Sequence, residues 1–212
     1  MFFQVVFIAL LALLPMVNPP TTATLLLGLS KGMSREHVRR QINLAAIYLF
    51  ATLCVSFFIG SSILDLFGIS IPGLRLAGGL IIAFIGFRML FPAPSQSAGV
   101  DINQSIAFVP LTMPSMCGPG TMALVISGAA QIAELPDEYN RFVIYAAMVT
   151  AFALMSLLSW GVLKLADPVC KILGATGIDA MTRIMGFLLV CMGMQFCING
   201  IKEVAQDPVF HG

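Results

Sequence analysis

Leu14-Pro15-Met16-Val17-Asn18-Pro19-Pro20-Thr21-Thr22 interrupts an apolar run that extends from Phe2 to Leu29. A shift of 99 positions lays Pro15 on Pro114, Pro20 on Pro119, Thr22 on Thr121 and Leu25 on Leu124. The run from Ser105 to Gly128, with Cys117-Gly118-Pro119-Gly120 at its middle, is therefore a copy of the first. Proline inside a helix removes a backbone donor and clashes with the carbonyl one turn back, at about 3 kcal/mol or more. Breakers at the centre of each run predict that both helices break there.

Working outward, four more apolar segments appear, at Leu44 to Leu66, Leu74 to Phe91, Phe142 to Leu165 and Met181 to Ile201. Six spans of about 20 residues each, the length that crosses roughly 30 Å of hydrocarbon, use most of the 212 residues. The composition agrees, at 58% hydrophobic and only 10% charged where soluble domains carry roughly 25% charge. A separate soluble domain does not fit. Sixteen Phe against one Trp and three Tyr, with no alternating pattern, argue against an outer-membrane barrel. The net charge of +1 gives no argument for a nucleic-acid partner. The first 30 residues hold no Lys or Arg, so the run from Val5 to Val17 lacks the basic region of a secretory signal and is expected to stay as helix 1.

The third and sixth segments also match, since a shift of 107 lays Gly79 on Gly186 and Gly86 on Gly193. The pattern predicts an all-α membrane protein of six transmembrane helices in two three-helix repeats, residues 1–91 and 105–212, joined by a polar linker at 92–104. Three is odd, so the second repeat enters from the opposite face and the symmetry is inverted. Cytoplasmic loops are enriched in Lys and Arg. Placing both termini outside puts Lys31, Arg35, Arg39, Arg40, Arg88, Lys164, Lys171 and Arg183 on the inner side and only Arg75, Arg141 and Lys202 on the outer. The linker is then cytoplasmic, and the acidic loop with Glu134, Asp137 and Glu138 faces out.

A break at bilayer depth leaves backbone N–H and C=O groups that lipid cannot satisfy, so it must be buried in protein or line a watery cavity. Asn18, Pro19, Pro20, Thr21 and Thr22 in one half, and Cys117, Gly118, Pro119, Gly120 and Thr121 in the other, form the candidate substrate site. The N–H groups that open the second half-helices suit a carboxylate. The carbonyls that close the first ones, near Met16, Val17, Ser115 and Met116, suit an ammonium or a cation. Gly118 and Gly120 leave the backbone open to close approach, and Asn18 offers a donor and an acceptor. Such a pair fits a small zwitterion and needs no buried ion pair. No Lys, Arg, Asp, Glu or His lies in the central part of either run, where a charge costs roughly 3 kcal/mol. Kinks used only for packing are the competing reading.

Gly79 and Gly86, and Gly186, Gly193 and Gly200, recur every seven residues, each set a stripe of small residues along one helix face. Small residues let helix backbones approach in lipid, so a packing role is expected for them. Ser34 is placed to cap helix 2 ahead of the basic run Arg35 to Arg40, an anchor for lipid headgroups. The five cysteines include no CxxC pair and no Cys/His cluster of metal-ligand spacing, so no metal and no cofactor are expected. A membrane thiol-electron carrier would need a redox cysteine in each half. Cys117 falls on Asn18, so the second thiol is missing. An enzyme is also disfavoured: His37 and His211 lie outside the spans, no span holds a Glu, and Lys164, the amine of a conceivable dyad with Ser156 or Ser159, sits at a helix end.

The first interruption resembles that of the MarC family of six-helix bacterial inner-membrane proteins. Closer still are Phe67-Gly68-Ile69-Ser70-Ile71-Pro72-Gly73-Leu74-Arg75 running into Gly78-Gly79-Leu80, and Phe84-Ile85-Gly86-Phe87-Arg88-Met89-Leu90-Phe91-Pro92. The second half adds Ala107-Phe108-Val109-Pro110-Leu111 and Met185-Gly186-Phe187-Leu188-Leu189-Val190-Cys191-Met192-Gly193. The resemblance covers nearly the whole chain, the linker around Pro94 to Asp101 being least typical. It implies a multi-pass protein of the bacterial inner membrane, classed with neutral amino-acid transporters, and hence periplasmic termini. The resulting expectation is a secondary transporter of small neutral solutes, foremost neutral amino acids, by alternating access around the two breaks. A drug or metabolite exporter and a structural or regulatory membrane subunit are the alternatives. Whether protons or sodium couple transport, which way cargo moves, and the oligomeric state stay open.

Overall fold

The computed structural model describes residues 2–30, 32–91, 105–133, 135 and 140–206, and it is helical throughout, with no strand among those residues. The linker 92–104 and the acidic residues Glu134, Asp137 and Glu138 lie outside them. The chain runs through α1 (Phe2–Val17), α2 (Pro19–Leu29), α3 (Arg35–Leu66) and α4 (Ile71–Leu90), then a π-helix (Ala107–Met116), α5 (Pro119–Ala133), α6 (Arg141–Lys164) and α7 (Ala166–Gln206). Five stretches are long and apolar enough to cross a membrane: Phe2–Leu29, Arg35–Leu64, Ile71–Leu90, Arg141–Lys164 and Ala166–Ala205. Pro119–Ala133 is a shorter apolar helix.

Local chemistry sets the ends. Ser34 caps α3, its Oγ accepting the His37 N–H at 3.2 Å. Gly68, at φ 64°, terminates α3 in the left-handed region, and the Ile69 N–H returns to the Leu64 carbonyl at 2.9 Å, a closure that only a residue without Cβ makes cheaply. Ser70 and Asn140 cap α4 and α6 by accepting from Gly73 N–H and Val143 N–H. At 32 residues, about 48 Å, α3 exceeds the hydrocarbon, so its basic first turns stand beyond it.

Two differences from the sequence-based expectation concern helix extent. The sixth segment was expected to begin at Met181, yet α7 starts at Ala166 and bends at Gly174 (φ 61°, ψ 174°). Lys171 and Asp179 dilute the apolar run there without weakening backbone helicity, and glycine supplies the one conformation that lets the direction change. The fourth segment was expected to be helical up to its breakers, and its first part is a π-helix instead.

The core joins α3, α6, α2 and the π-helix around Leu49, Leu53, Phe152, Met155, Leu111 and Leu26. Outward the chain shows Phe3, Phe7, Leu11, Ile47, Phe58, Phe84, Leu157 and Phe187, an apolar exterior suited to lipid. α4 and α7 run antiparallel with their backbones in near contact. A Cβ on Gly79 would stand 2.6 Å from the Gly193 carbonyl oxygen, and one on Gly86 2.5 Å from that of Gly186. Gly200 meets the Pro72 carbonyl in the same way, at 3.0 Å. Dispersion between close backbones holds this pair where lipid offers no hydrophobic drive.

Candidate functional site

The chain is interrupted at two places that meet inside the bundle. At the first, Asn18 adopts φ 40°, ψ 63° between α1 and α2, a left-handed conformation that asparagine tolerates better than most residues. Its backbone is satisfied: the N–H donates to the Leu14 carbonyl at 3.0 Å and the carbonyl accepts the Thr22 N–H at 3.3 Å. Its side chain is not. Asn18 is 6% exposed, and neither Oδ1 nor Nδ2 is hydrogen-bonded among the described residues. An orphaned buried polar group costs about 1–3 kcal/mol, and each one in a native structure calls for an explanation.

The second interruption is built differently. Within the π-helix, Val109 (φ −120°, ψ 122°) and Met113 (φ −112°, ψ 126°) are extended. Each precedes a proline, where the ring crowds the preceding residue out of the helical region. Two ties hold the segment to α3. Gln41 Oε1 accepts the Ser105 hydroxyl at 3.0 Å and the Ala107 N–H at 2.9 Å. The Thr112 hydroxyl reaches the carbonyls of Ala107 (2.8 Å) and Ala45 (3.2 Å). The Cys117 N–H closes on Thr112, and α5 starts at Pro119 with the Met122 N–H on the Gly118 carbonyl.

One hydrogen bond joins the two places: the hydroxyls of Thr22 and Ser115 lie 2.8 Å apart. The site residues distribute around it. Asn18, Pro19, Thr22, Cys117, Gly118, Gly120 and Thr121 are buried, Pro20 and Thr21 half-buried, and Pro119 exposed. Thr21 turns to α7, its hydroxyl 3.0 Å from that of Thr182. The Thr121 hydroxyl donates to the Met116 carbonyl at 3.4 Å. Gly120 was expected to leave room for a ligand. A Cβ there would instead meet Ile82 Cγ1 at 3.1 Å and Met16 Cε at 3.3 Å, so its bare side is occupied by α4 and by the end of α1.

Two clefts open along the elements that flank the interruptions, and none of the candidate site residues lines either. One, of about 470 Å³, is lined by Ala9 and Leu13 of α1, Leu124 and Gly128 of α5, and Phe152 of α6. The other, of about 670 Å³, opens beyond α2 between Leu26, Ser30, Arg39, Leu163 and Lys164. In α1–α2 order they fall on either side of Asn18.

The family model for MarC family integral membrane proteins matches residues 3–205. The chain belongs to the MarC family. It is 46% identical to the inner membrane protein MarC of Escherichia coli O1:K1 over 96% of this chain and 97% of that one. Its identity to the MarC protein of Escherichia coli strain K12 is 45% over the same shares. No solved structure matches it. With its apolar helices, this makes it a multi-pass inner-membrane protein.

In this MarC chain the centre presents dipoles rather than formal charges. The first three N–H groups of a helix have no intrahelical acceptor. In α2 two of those positions are Pro19 and Pro20, which carry no N–H, so Thr21 alone supplies one. In α5 only Pro119 lacks it, and Gly120 and Thr121 supply two. The stronger anion-facing end is thus α5, while Asn18 contributes a free donor and a free acceptor on the α2 side. Sequence pattern did not single out Gln41 or Thr112, which shape the π-helix. Ser115 was noted only for its carbonyl. One signal for its hydroxyl was present: under the shift of 99 it takes the place of Met16, a polar residue where the other half has an apolar one.

Proposed function

We propose that this MarC-family protein is a secondary transporter of small neutral solutes, foremost neutral amino acids, acting by alternating access around two broken helices. The observation that carries the reading is the Asn18 amide, buried with both polar atoms unpartnered, one turn from the Thr22–Ser115 bond that ties the interruptions together. Such a group calls for a partner, and a bound solute would supply one. A zwitterion matches the set: its carboxylate faces the N–H groups heading α5 and its ammonium faces the Asn18 oxygen and nearby carbonyls. Clefts on both sides of Asn18 support access from each face in turn.

The repeats are read as inverted and related by a two-fold axis. Support comes from the glycine contacts, because Gly79 meets Gly193 and Gly86 meets Gly186, pairs that exchange under the shift of 107. The charge distribution supports periplasmic termini. Proton or sodium coupling is part of the test.

Purified protein in proteoliposomes should take up at least one small neutral amino acid from a labelled panel, driven by an imposed proton or sodium gradient. Asn18→Gly keeps the left-handed backbone and removes the amide. It should cut uptake at least tenfold, about 1.4 kcal/mol or more of lost binding to substrate or transition state, in protein that still purifies as a single species. Absence of uptake for every neutral amino acid under both gradients, or full activity of Asn18→Gly, overturns the reading.

A further inference from the structure

A smaller cavity that shares Gln131, Leu135 and Asn199 with the 470 Å³ cleft carries a charge pair that the central site does not use. Arg75, on the second turn of α4, is 4% exposed. Its Nε donates to the buried Ser127 hydroxyl of α5 at 3.0 Å, and Nη1 pairs with Glu203 near the end of α7. The charge distribution along the sequence assigns Arg75 to the outer side, and the structure adds that it is buried among α4, α5 and α7. An ionisable residue inside a spanning segment is a functional candidate by default, and its partner is named here. Holding α4 to α7 does not require it, because the glycine stripes already bring those backbones together. A buried pair also adds little that apolar residues would not.

The pair is lopsided. The Glu203 side chain is 36% exposed against 5% for Arg75. It opens on a cavity of about 380 Å³ lined by Arg75, Gln131, Leu135, Asn199 and Glu203. Gln131, Leu135 and Asn199 also line the larger cleft, which continues to Leu13 and Leu124 beside the interruptions. The Gln131 amide has no hydrogen bond among the described residues, and Asn199 Oδ1 accepts from Gln195 at 2.9 Å, which leaves its NH₂ for another acceptor.

We propose that Arg75 and Glu203, flanked by Gln131 and Asn199, form a second binding station for a small zwitterionic α-amino acid, at the end of the bundle where α4 begins and α7 ends. The Arg75 guanidinium takes the carboxylate and the Glu203 carboxylate takes the ammonium. A simple anion would be repelled by Glu203 and a simple cation by Arg75. A zwitterion exchanges one ion pair for two and leaves the buried net charge unchanged. The two amides complete the partners of its oxygens and ammonium hydrogens.

The cargo class is shared with the proposed transport function, so the experiment separates the two sites. Full-length protein in lipid nanodiscs is dialysed to equilibrium against labelled glycine, the smallest zwitterion, with acetate and methylammonium as singly charged competitors. Wild type should bind two glycines per chain. The double variant R75Q/E203Q, which leaves no unpaired buried charge, and Asn18→Gly should each bind one. Neither competitor should displace glycine at equal concentration.

Two glycines retained by R75Q/E203Q, or a single wild-type site abolished by Asn18→Gly alone, overturns the second station and spares the central one. Two retained by Asn18→Gly with one lost in R75Q/E203Q upholds the station and sinks the central site. Displacement by acetate alone overturns the zwitterion assignment, and no binding by wild type overturns both sites. Should R75Q/E203Q fail to purify as a single species, E203Q alone is read by the same count.

Discussion

The two interruptions occupy matching places in the sequence and solve the same problem by different means. At Asn18 two α-helices meet through one left-handed residue, and the cost appears as a side chain with no partner. At Cys117 the change of direction is spread over the preceding ten residues, whose turns are widened at Val109 and Met113 and then tied down by Gln41 and Thr112. Proline placement separates them. Pro15 stands alone inside α1 and is absorbed there, whereas Pro110 and Pro114 press two residues of one short segment into extended geometry. The first half is therefore locally simple and left with an unpartnered side chain at its joint; the second is locally irregular and held in place by α3.

Removing the tie that only the second half possesses should have the largest effect on this contrast. Gln41 is 3% exposed, and its Oε1 is the acceptor for the buried Ala107 N–H. Gln41→Leu leaves that N–H unsatisfied and should cost about 1–3 kcal/mol. The loss should be concentrated in the π-helix. Hydrogen exchange resolved by segment should quicken over 107–116 and stay unchanged over α1. Equal quickening in both halves would mean that Gln41 supports the bundle at large.

How much of this was legible in the sequence follows from the range of each cause. Pro and Gly act on their own backbone, so the interrupted runs, the Ser34 cap and the seven-residue glycine stripes could be read directly. The π-helix was accessible in principle, since Val109 and Met113 precede prolines, but apolar periodicity hid it within a continuous run. The burial of Arg75 was not legible because a charge tally follows position along the chain, and its partners Ser127 and Glu203 are brought to it only by packing. The same applies to Ser115. Its hydroxyl gains meaning from Thr22, a residue in the other half of the chain. Asn18 was legible as a candidate, whereas its unsatisfied state depends on every neighbour that fails to reach it.

A smaller effect tests whether the halves are coupled through their shared hydrogen bond. Thr22→Val leaves the half-buried Ser115 hydroxyl without its partner, Ser115→Ala leaves the buried Thr22 hydroxyl only a 3.5 Å contact to the Asn18 carbonyl, and each should cost about 0.5–1.5 kcal/mol. Together they should cost less than the sum, because the second change removes a group that has already lost its partner. A double-mutant cycle on thermal unfolding in detergent should give a coupling of about 1 kcal/mol. Additive losses would show that the two joints are neighbours without being linked.

The smallest expected change lies at Gly120, where the second interruption rests on α4. An added methyl would stand 3.1 Å from Ile82 Cγ1, 3.3 Å from Met16 Cε and 3.5 Å from Ile85 Cδ1. All three are side-chain carbons, and two are terminal atoms of flexible side chains, so a shift of a few tenths of an ångström relieves the contact. Gly120→Ala should therefore cost no more than about 1 kcal/mol, the low end of overpacking. Gly193→Ala is the fitting control. Its methyl would meet Ala83 N and Gly79 O, both at 2.5 Å and both backbone, so the helices themselves would have to separate. Its cost should reach about 3 kcal/mol, at the upper end for a strained core. If thermal unfolding of the purified variants gave the reverse order, the tight contact would lie at the interruption, and the second joint would be the rigid one of the pair.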